Sequence, residues 1–242
     1  MFERILDPIS SIFFPQECNT CGGPSNESAV GVSCRECWND TPLFSGSEIL
    51  CRRCGALLGA SGGPRDVSCH KCDEHFYEHA FAVGPYVKAL ASEIVHLKTT
   101  PNISKYLAVQ IRKSLDRHEL RKIDLVVPVP LSKERAVERG FNQAAVVAEV
   151  VGKYLDRKVD AFSVERTKHT PIHRMSMDRR ARELTVEKAF SVTRPKLIAG
   201  KSILLVDDVL TSGSTVSACA KALLKNGAAN VIVFTLARAV LK

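Results

Sequence analysis

Residues 203–215 read ILLVDDVLTSGST: four apolar residues run into Asp207 and Asp208, and Thr211, Ser212, Gly213, Ser214 and Thr215 begin three positions later. A short apolar run bounded by charge predicts a buried strand over 202–206, with the two carboxylates at its end. Apolar periodicity then predicts a helix over 214–226, closed by Gly227 as a C-cap. Residues 211–215 therefore join a strand end to a helix N-terminus, where backbone N–H groups lack partners and the local field is positive. Hydroxyls at 211, 212, 214 and 215 add donors, and Gly213 lets backbone approach a ligand. That is a cradle for one phosphate group. Adjacent carboxylates would repel a phosphate but accept hydrogen bonds from two vicinal hydroxyls. A ribose 5-phosphate carries both features.

An apolar strand ending in aspartate also suits the magnesium strand of an ATPase, which needs a phosphate-binding loop earlier in the chain. Gly200, Lys201 and Ser202 resemble the tail of such a loop, but its first glycine position holds Pro195. The tripeptide also precedes its strand, whereas a P-loop follows one. Lys201 is assigned to a turn, and the ATPase reading is rejected.

Outward from this stretch, segments 81–86, 124–130 and 231–238 read as strands, and 87–98, 104–118 and 142–154 as helices. Alternating strands and helices argue for a parallel sheet covered on both faces, with ligands at the carboxyl ends of its strands. The prolines at 128 and 130 lie at one such end. Cys219 stands alone in an apolar helical pattern and reads as a core residue.

Residues 16–75 have a different composition. They hold few large aliphatic residues and four C-x-x-C pairs: Cys18/Cys21, Cys34/Cys37, Cys51/Cys54 and Cys69/Cys72. A segment that buries so little needs a staple, and structural zinc supplies about 10–16 kcal/mol. Glycine after Cys21 and Cys54 marks a weak internal repeat, so two consecutive ribbons are expected, with a cross-braced pairing as the alternative. His70, His75 and His79 are left as surface or packing residues. Ile5, Leu6, Ile9, Ile12 and Phe13 recur at helical spacing, which predicts a short amphipathic helix docked on the protein. The expected organisation is a helix in 1–15, a double zinc ribbon in 16–78 and an α/β domain in 79–242.

The chain has 242 residues, 45% hydrophobic, and a formal net charge of +8, which suits an anionic partner. No apolar run reaches transmembrane length and the amino terminus lacks a basic leader, so a cytoplasmic protein without membrane insertion is expected.

Residues 203–215 resemble the PRPP-binding motif of the type I phosphoribosyltransferases, and the whole chain is similar to the ComF family of competence-associated proteins. The resemblance rests on the cysteine pairs, VPVP at 127–130, RGFNQ at 139–143, Ala189-Phe190, the aspartate pair and Ala237-Arg238. It implies a parallel-sheet, phosphoribosyltransferase-like α/β domain with a small amino-terminal zinc-ribbon module. It further implies that Asp207 and Asp208 hold the ribose hydroxyls and that Thr211, Ser212, Gly213, Ser214 and Thr215 hold the 5-phosphate. The diphosphate would lie against the loop after Pro130, with Arg135 and Arg139 as charge partners and Mg2+ bound mainly by the ligand's own oxygens. Asn142 and Gln143 read as ligand contacts or, for Asn142, as an ordinary N-cap. The basic stretch 166–188 would be the family's loop that closes over the diphosphate, with Lys168, His169 and Arg174 as catalytic residues. The chain departs from the family pattern at His173, Thr185 and the serines of TSGST.

Two functions follow. One is an enzyme transferring a phosphoribosyl group from PRPP to a nitrogen nucleophile. The other is a non-catalytic PRPP sensor working in DNA uptake with single-stranded DNA or a protein of the competence machinery. The absence of aromatic residues from 166 to 188 argues against base stacking there.

Overall fold

The structure, a computed structural model, describes residues 16–25, 31–59, 67–69, 72, 75–167 and 189–240. The expected amino-terminal helix, His70, and Lys168, His169 and Arg174 all lie outside the described residues.

Five strands form the central sheet: β5 (Ala80–Pro85), β6 (Leu125–Pro128), β7 (Lys158–Val159), β10 (Ser202–Leu210) and β11 (Asn230–Arg238). Their order is β5-β11-β10-β6-β7 and every pairing is parallel. Side-chain alternation in β10 explains the layering. Leu204 and Val206 enter one apolar core with α2 (Lys88–His96), α3 (Lys105–Asp116) and α5 (Gln143–Leu155). Ile203 and Leu205 enter a second core with α7 (Ser214–Lys225), whose Cys219 is fully buried. A strand apolar on both sides needs cover on both sides, and the helices supply it.

The second core is extended by an antiparallel pair, β8 (Val164–Arg166) and β9 (Phe190–Val192), which frames the basic stretch, and by the short α6 (Pro195–Ile198). Lys201 lies in the turn before β10, its N–H bonded to the Ile198 carbonyl at 3.0 Å.

One boundary differs from the expectation. β10 does not stop at Val206 but runs on to Leu210, because β11 continues beside it and pairs Asp207 with Thr235, Val209 with Ala237 and Leu210 with Arg238. The carboxylates thus project from a hydrogen-bonded strand rather than from its frayed end.

The cysteine segment builds two small ribbons, one with β1 (Gln16–Glu17), β2 (Pro24–Ser25) and α1 (Arg35–Asn39), the other with β3 (Ile49–Leu50) and β4 (Leu57–Gly59). Trp38 of α1 is 1% exposed and packs on Tyr106 of α3, so the first ribbon borrows its apolar anchor from the main core.

Candidate functional site

A polar cavity of about 410 Å3 opens where β6, β10 and β11 end. Asp207, Asp208, Thr211, Thr215, Arg135 and Arg139 all line it. Segments far apart in sequence therefore meet at the strand ends, as a parallel sheet requires.

The two arginines come from α4 (Lys133–Arg139), a helix where the sequence suggests a loop. Ser132 caps it by accepting from the Arg135 N–H, and Gly140, at φ 74°, ends it in the left-handed region. Arg135 and Arg139 sit four residues apart and so share one helix face. Asn142 accepts from the Ala144 N–H as the N-cap of α5 and donates through Nδ2 to the Val129 carbonyl at 3.0 Å. The N-cap reading of Asn142 holds, and the same side chain ties the proline loop to the helix. Arg139 donates to Gln143 Oε1 at 2.7 Å. Gln143 is 2% exposed, and its Nε2 has no partner among the described residues. A buried amide donor at the wall of a cation-lined cavity fits an acceptor such as a phosphate oxygen.

Asp208 donates its N–H to Asp207 Oδ1 at 3.0 Å, and Val209 donates to Asp208 Oδ1 at 2.8 Å. Burial, then the neighbouring Asp208 charge, pushes the Asp207 carboxyl well above its usual range, while Arg166 acts in the opposite sense. Two ribose hydroxyls would supply donors of the kind such a carboxylate pair accepts.

The following loop splits its residues between tasks. Thr211 and Thr215 face the polar cavity, while Ser212 lines a neighbouring, largely apolar cavity of about 660 Å3. Ser212 and Ser214 hydroxyls lie 3.0 Å apart on the exposed side. Gly213 is buried at φ 82°, and a Cβ there would come within 2.8 Å of the His75 ring and 3.0 Å of the Tyr77 hydroxyl. The space expected to admit a ligand at Gly213 is filled by the protein itself.

The cysteines form two sets, Cys18/Cys21/Cys34/Cys37 and Cys51/Cys54/Cys69/Cys72, with sulfurs within 4.8 Å of one another in each. The pairing is sequential, not cross-braced. Sulfur separations of 3.7 Å (Cys18–Cys37), 3.9 Å (Cys21–Cys34) and 3.6 Å (Cys54–Cys69) approximate the edge of about 3.8 Å that a tetrahedron with Zn–S bonds of about 2.3 Å requires. Burial works against the Cys18 thiolate, but N–H donors of Cys34, Cys21 and Thr20 outweigh it, and the thiol falls to about 6. Cys51 also falls to about 6, with Cys54, Cys69 and Arg53 supplying the donors. Both sets fit structural zinc.

Comparison with known proteins matches residues 138–240 to the phosphoribosyl transferase domain and 9–74 to the double zinc ribbon domain. The DNA utilization protein YhgH of Shigella flexneri is 30% identical over 232 residues, covering 93% of this chain and 97% of the relative. Competence protein F of Haemophilus influenzae is 28% identical over 236 residues, covering 94% of this chain and 99% of its own. The chain belongs to the ComF family. Competence protein ComFC of Bacillus subtilis, another member, is 36% identical over 119 residues, 47% of this chain and 44% of that one.

Two further side chains of this ComF-family protein, Tyr86 and Lys98, line the polar cavity and escaped the sequence reading. Tyr86 directly follows β5, so the strand-end rule could have found it. Lys98 lies past the end of α2 and carries no such signal. No helix among the described residues is long and apolar enough to cross a membrane.

Proposed function

We propose that this protein binds PRPP and transfers its phosphoribosyl group to a nitrogen nucleophile. The observation that carries the reading is the meeting of a diol-accepting aspartate pair, a hydroxyl-lined helix start and paired arginines in one cavity. Asp207 and Asp208 take the ribose hydroxyls, and Thr211 and Thr215, with the backbone N–H groups of the loop between them, take the 5-phosphate. Arg135, Arg139 and Gln143 face the diphosphate, and Mg2+ rides mainly on the ligand's own oxygens. In the reaction the nitrogen bonds to C1 as the C1–O bond breaks, pyrophosphate leaves with the electron pair, and the nitrogen gives up a proton. Lys168, His169 and Arg174 are assigned to the departing charge on sequence alone, since developing negative charge needs fixed cations and excluded water. In this reading 79–242 is the ligand-binding domain and 16–78 the ribbon module, with 1–15 a separate helix.

The test incubates zinc-loaded protein with PRPP, Mg2+ and a panel of nucleobases and follows pyrophosphate. Release that depends on one base supports transfer. PRPP binding without release from any base would leave a sensor.

The second reading, a PRPP sensor in DNA uptake, is favoured by the net charge of +8 and by relatives whose names refer to DNA utilization and competence. It predicts affinity for single-stranded DNA that falls steeply with salt. No affinity at low salt would leave a protein partner instead.

A further inference from the structure

The second cysteine tetrad is joined to the loop after β10 by two separate struts, and neither is needed to hold zinc. The first is Arg238 at the end of β11, only 5% exposed. Its Nε donates to the Cys54 carbonyl at 3.0 Å and its Nη2 approaches Cys54 Sγ at 3.8 Å. Its Nη1 donates to the carbonyls of Leu210, at 2.8 Å, and of Thr211. One rigid guanidinium thus grips a cysteine of the tetrad on one side and two loop carbonyls on the other.

The second strut leaves from Cys72. The His75 N–H donates to the Cys72 carbonyl at 3.2 Å, and the His75 ring lies against Gly213. The buried Tyr77 hydroxyl fixes that ring through Nδ1 at 2.6 Å. Beside it the Phe76 N–H donates to Ser217 Oγ in the first turn of α7.

Charge gives these contacts a direction of control. A buried guanidinium is costly unless paired, and the bonds of Arg238 go to carbonyls and one sulfur. A zinc ion with four thiolates carries a net negative charge, so the loaded tetrad is the counter-ion of Arg238. Without zinc nothing holds Cys54 and Cys72 at a fixed separation, and the two struts lose their common anchor.

We propose that zinc in the second tetrad holds the 210–213 loop in its phosphate-binding shape, with Arg238 and His75 as the positioning residues that carry the effect. The inference deepens the proposed function and rests on reading that loop as the phosphate cradle. It makes PRPP affinity depend on zinc in one tetrad and not in the other.

The experiment measures amide exchange of the loop in the full-length, ligand-free protein, beside PRPP affinity by calorimetry. The variants are Arg238→Lys, Cys54→Ser and, for the first tetrad, Cys21→Ser. Arg238→Lys keeps a positive charge but loses the fork, so zinc content and exchange in the apolar part of β10 remain those of the wild type. The expected result is loop exchange about tenfold faster in Arg238→Lys and Cys54→Ser, PRPP affinity weaker by about the same factor, and neither change in Cys21→Ser. Wild-type loop exchange in Arg238→Lys with zinc bound would overturn the coupling, as would equal effects from Cys21→Ser and Cys54→Ser. The exchange readout needs no ligand. A wild type that fails to bind PRPP would instead remove the proposed function and leave the loop result to decide the coupling.

Discussion

The two cysteine tetrads share ligand spacing and sulfur geometry and differ in what lies behind them. In the first, Cys21 is exposed, and contacts run to the α2 and α3 side of the sheet: Thr20 to Ser92 at 2.9 Å, the Val32 N–H to Glu93 at 2.9 Å, and Trp38 onto Tyr106. In the second, Cys51, Cys54 and Cys72 are at most 1% exposed, and contacts run to the loop of the candidate site. Equal metal chemistry therefore serves two ends. The first ribbon is fastened to the α2 and α3 side of the main core; the second abuts the loop that follows β10.

The comparison can be broken in order of effect. Cys72→Ser should cost most, because it removes a fully buried ligand and releases one strut. It should lower zinc content from two to one per chain and reduce Tm far more than Cys21→Ser, as scanning calorimetry with metal analysis would record. Trp38→Ala should cost about 3–5 kcal/mol in denaturant unfolding while PRPP affinity stays within a factor of two, since its contacts lie away from the site. A large loss of affinity would show that the first ribbon also supports the loop. Gly213→Ala should cost about 1–3 kcal/mol through its positive φ and its collision with His75 and Tyr77, and should weaken PRPP binding several-fold.

The smallest effect lies at the first ribbon's seam. Burial pushes Glu93 up to about 7 against the Val32 and Ser104 hydrogen bonds. A carboxyl raised above its unfolded value contributes stability that is full below about 4.3 and is lost as pH rises through about 7. Glu93→Gln should therefore gain on the wild type between pH 5 and pH 8, by a few degrees in Tm. A Tm difference constant across that range would contradict the burial account.

Four of the five sheet strands were legible because each is a largely apolar run, and α7 carries its own periodicity; the two-residue β7 is too short to show a pattern, and the order of strands across the sheet is set by pairings that no local run announces. The end of β10 was not legible. Asp207 and Asp208 look like a terminus until the partner strand, which pairs as far as Arg238, is known. At the site, the aspartates, Thr211, Thr215 and both arginines were readable because each carries its chemistry in a motif. At Gly213 the expected reason is only half right, since its bare face accommodates His75, which packs there as one of the two roles expected of it. Arg238 was noted only as part of a closing dipeptide. Its role depends on bringing Cys54 next to Leu210, which no spacing along the chain announces.

The central claim is that the cavity at the ends of β6 and β10 is a PRPP site, and calorimetric titration of the zinc-loaded protein with PRPP and Mg2+ tests it most directly. The account predicts saturable one-to-one binding in the wild type and none in the Asp207→Asn, Asp208→Asn double variant with zinc content unchanged. Equal binding by the two proteins would contradict it.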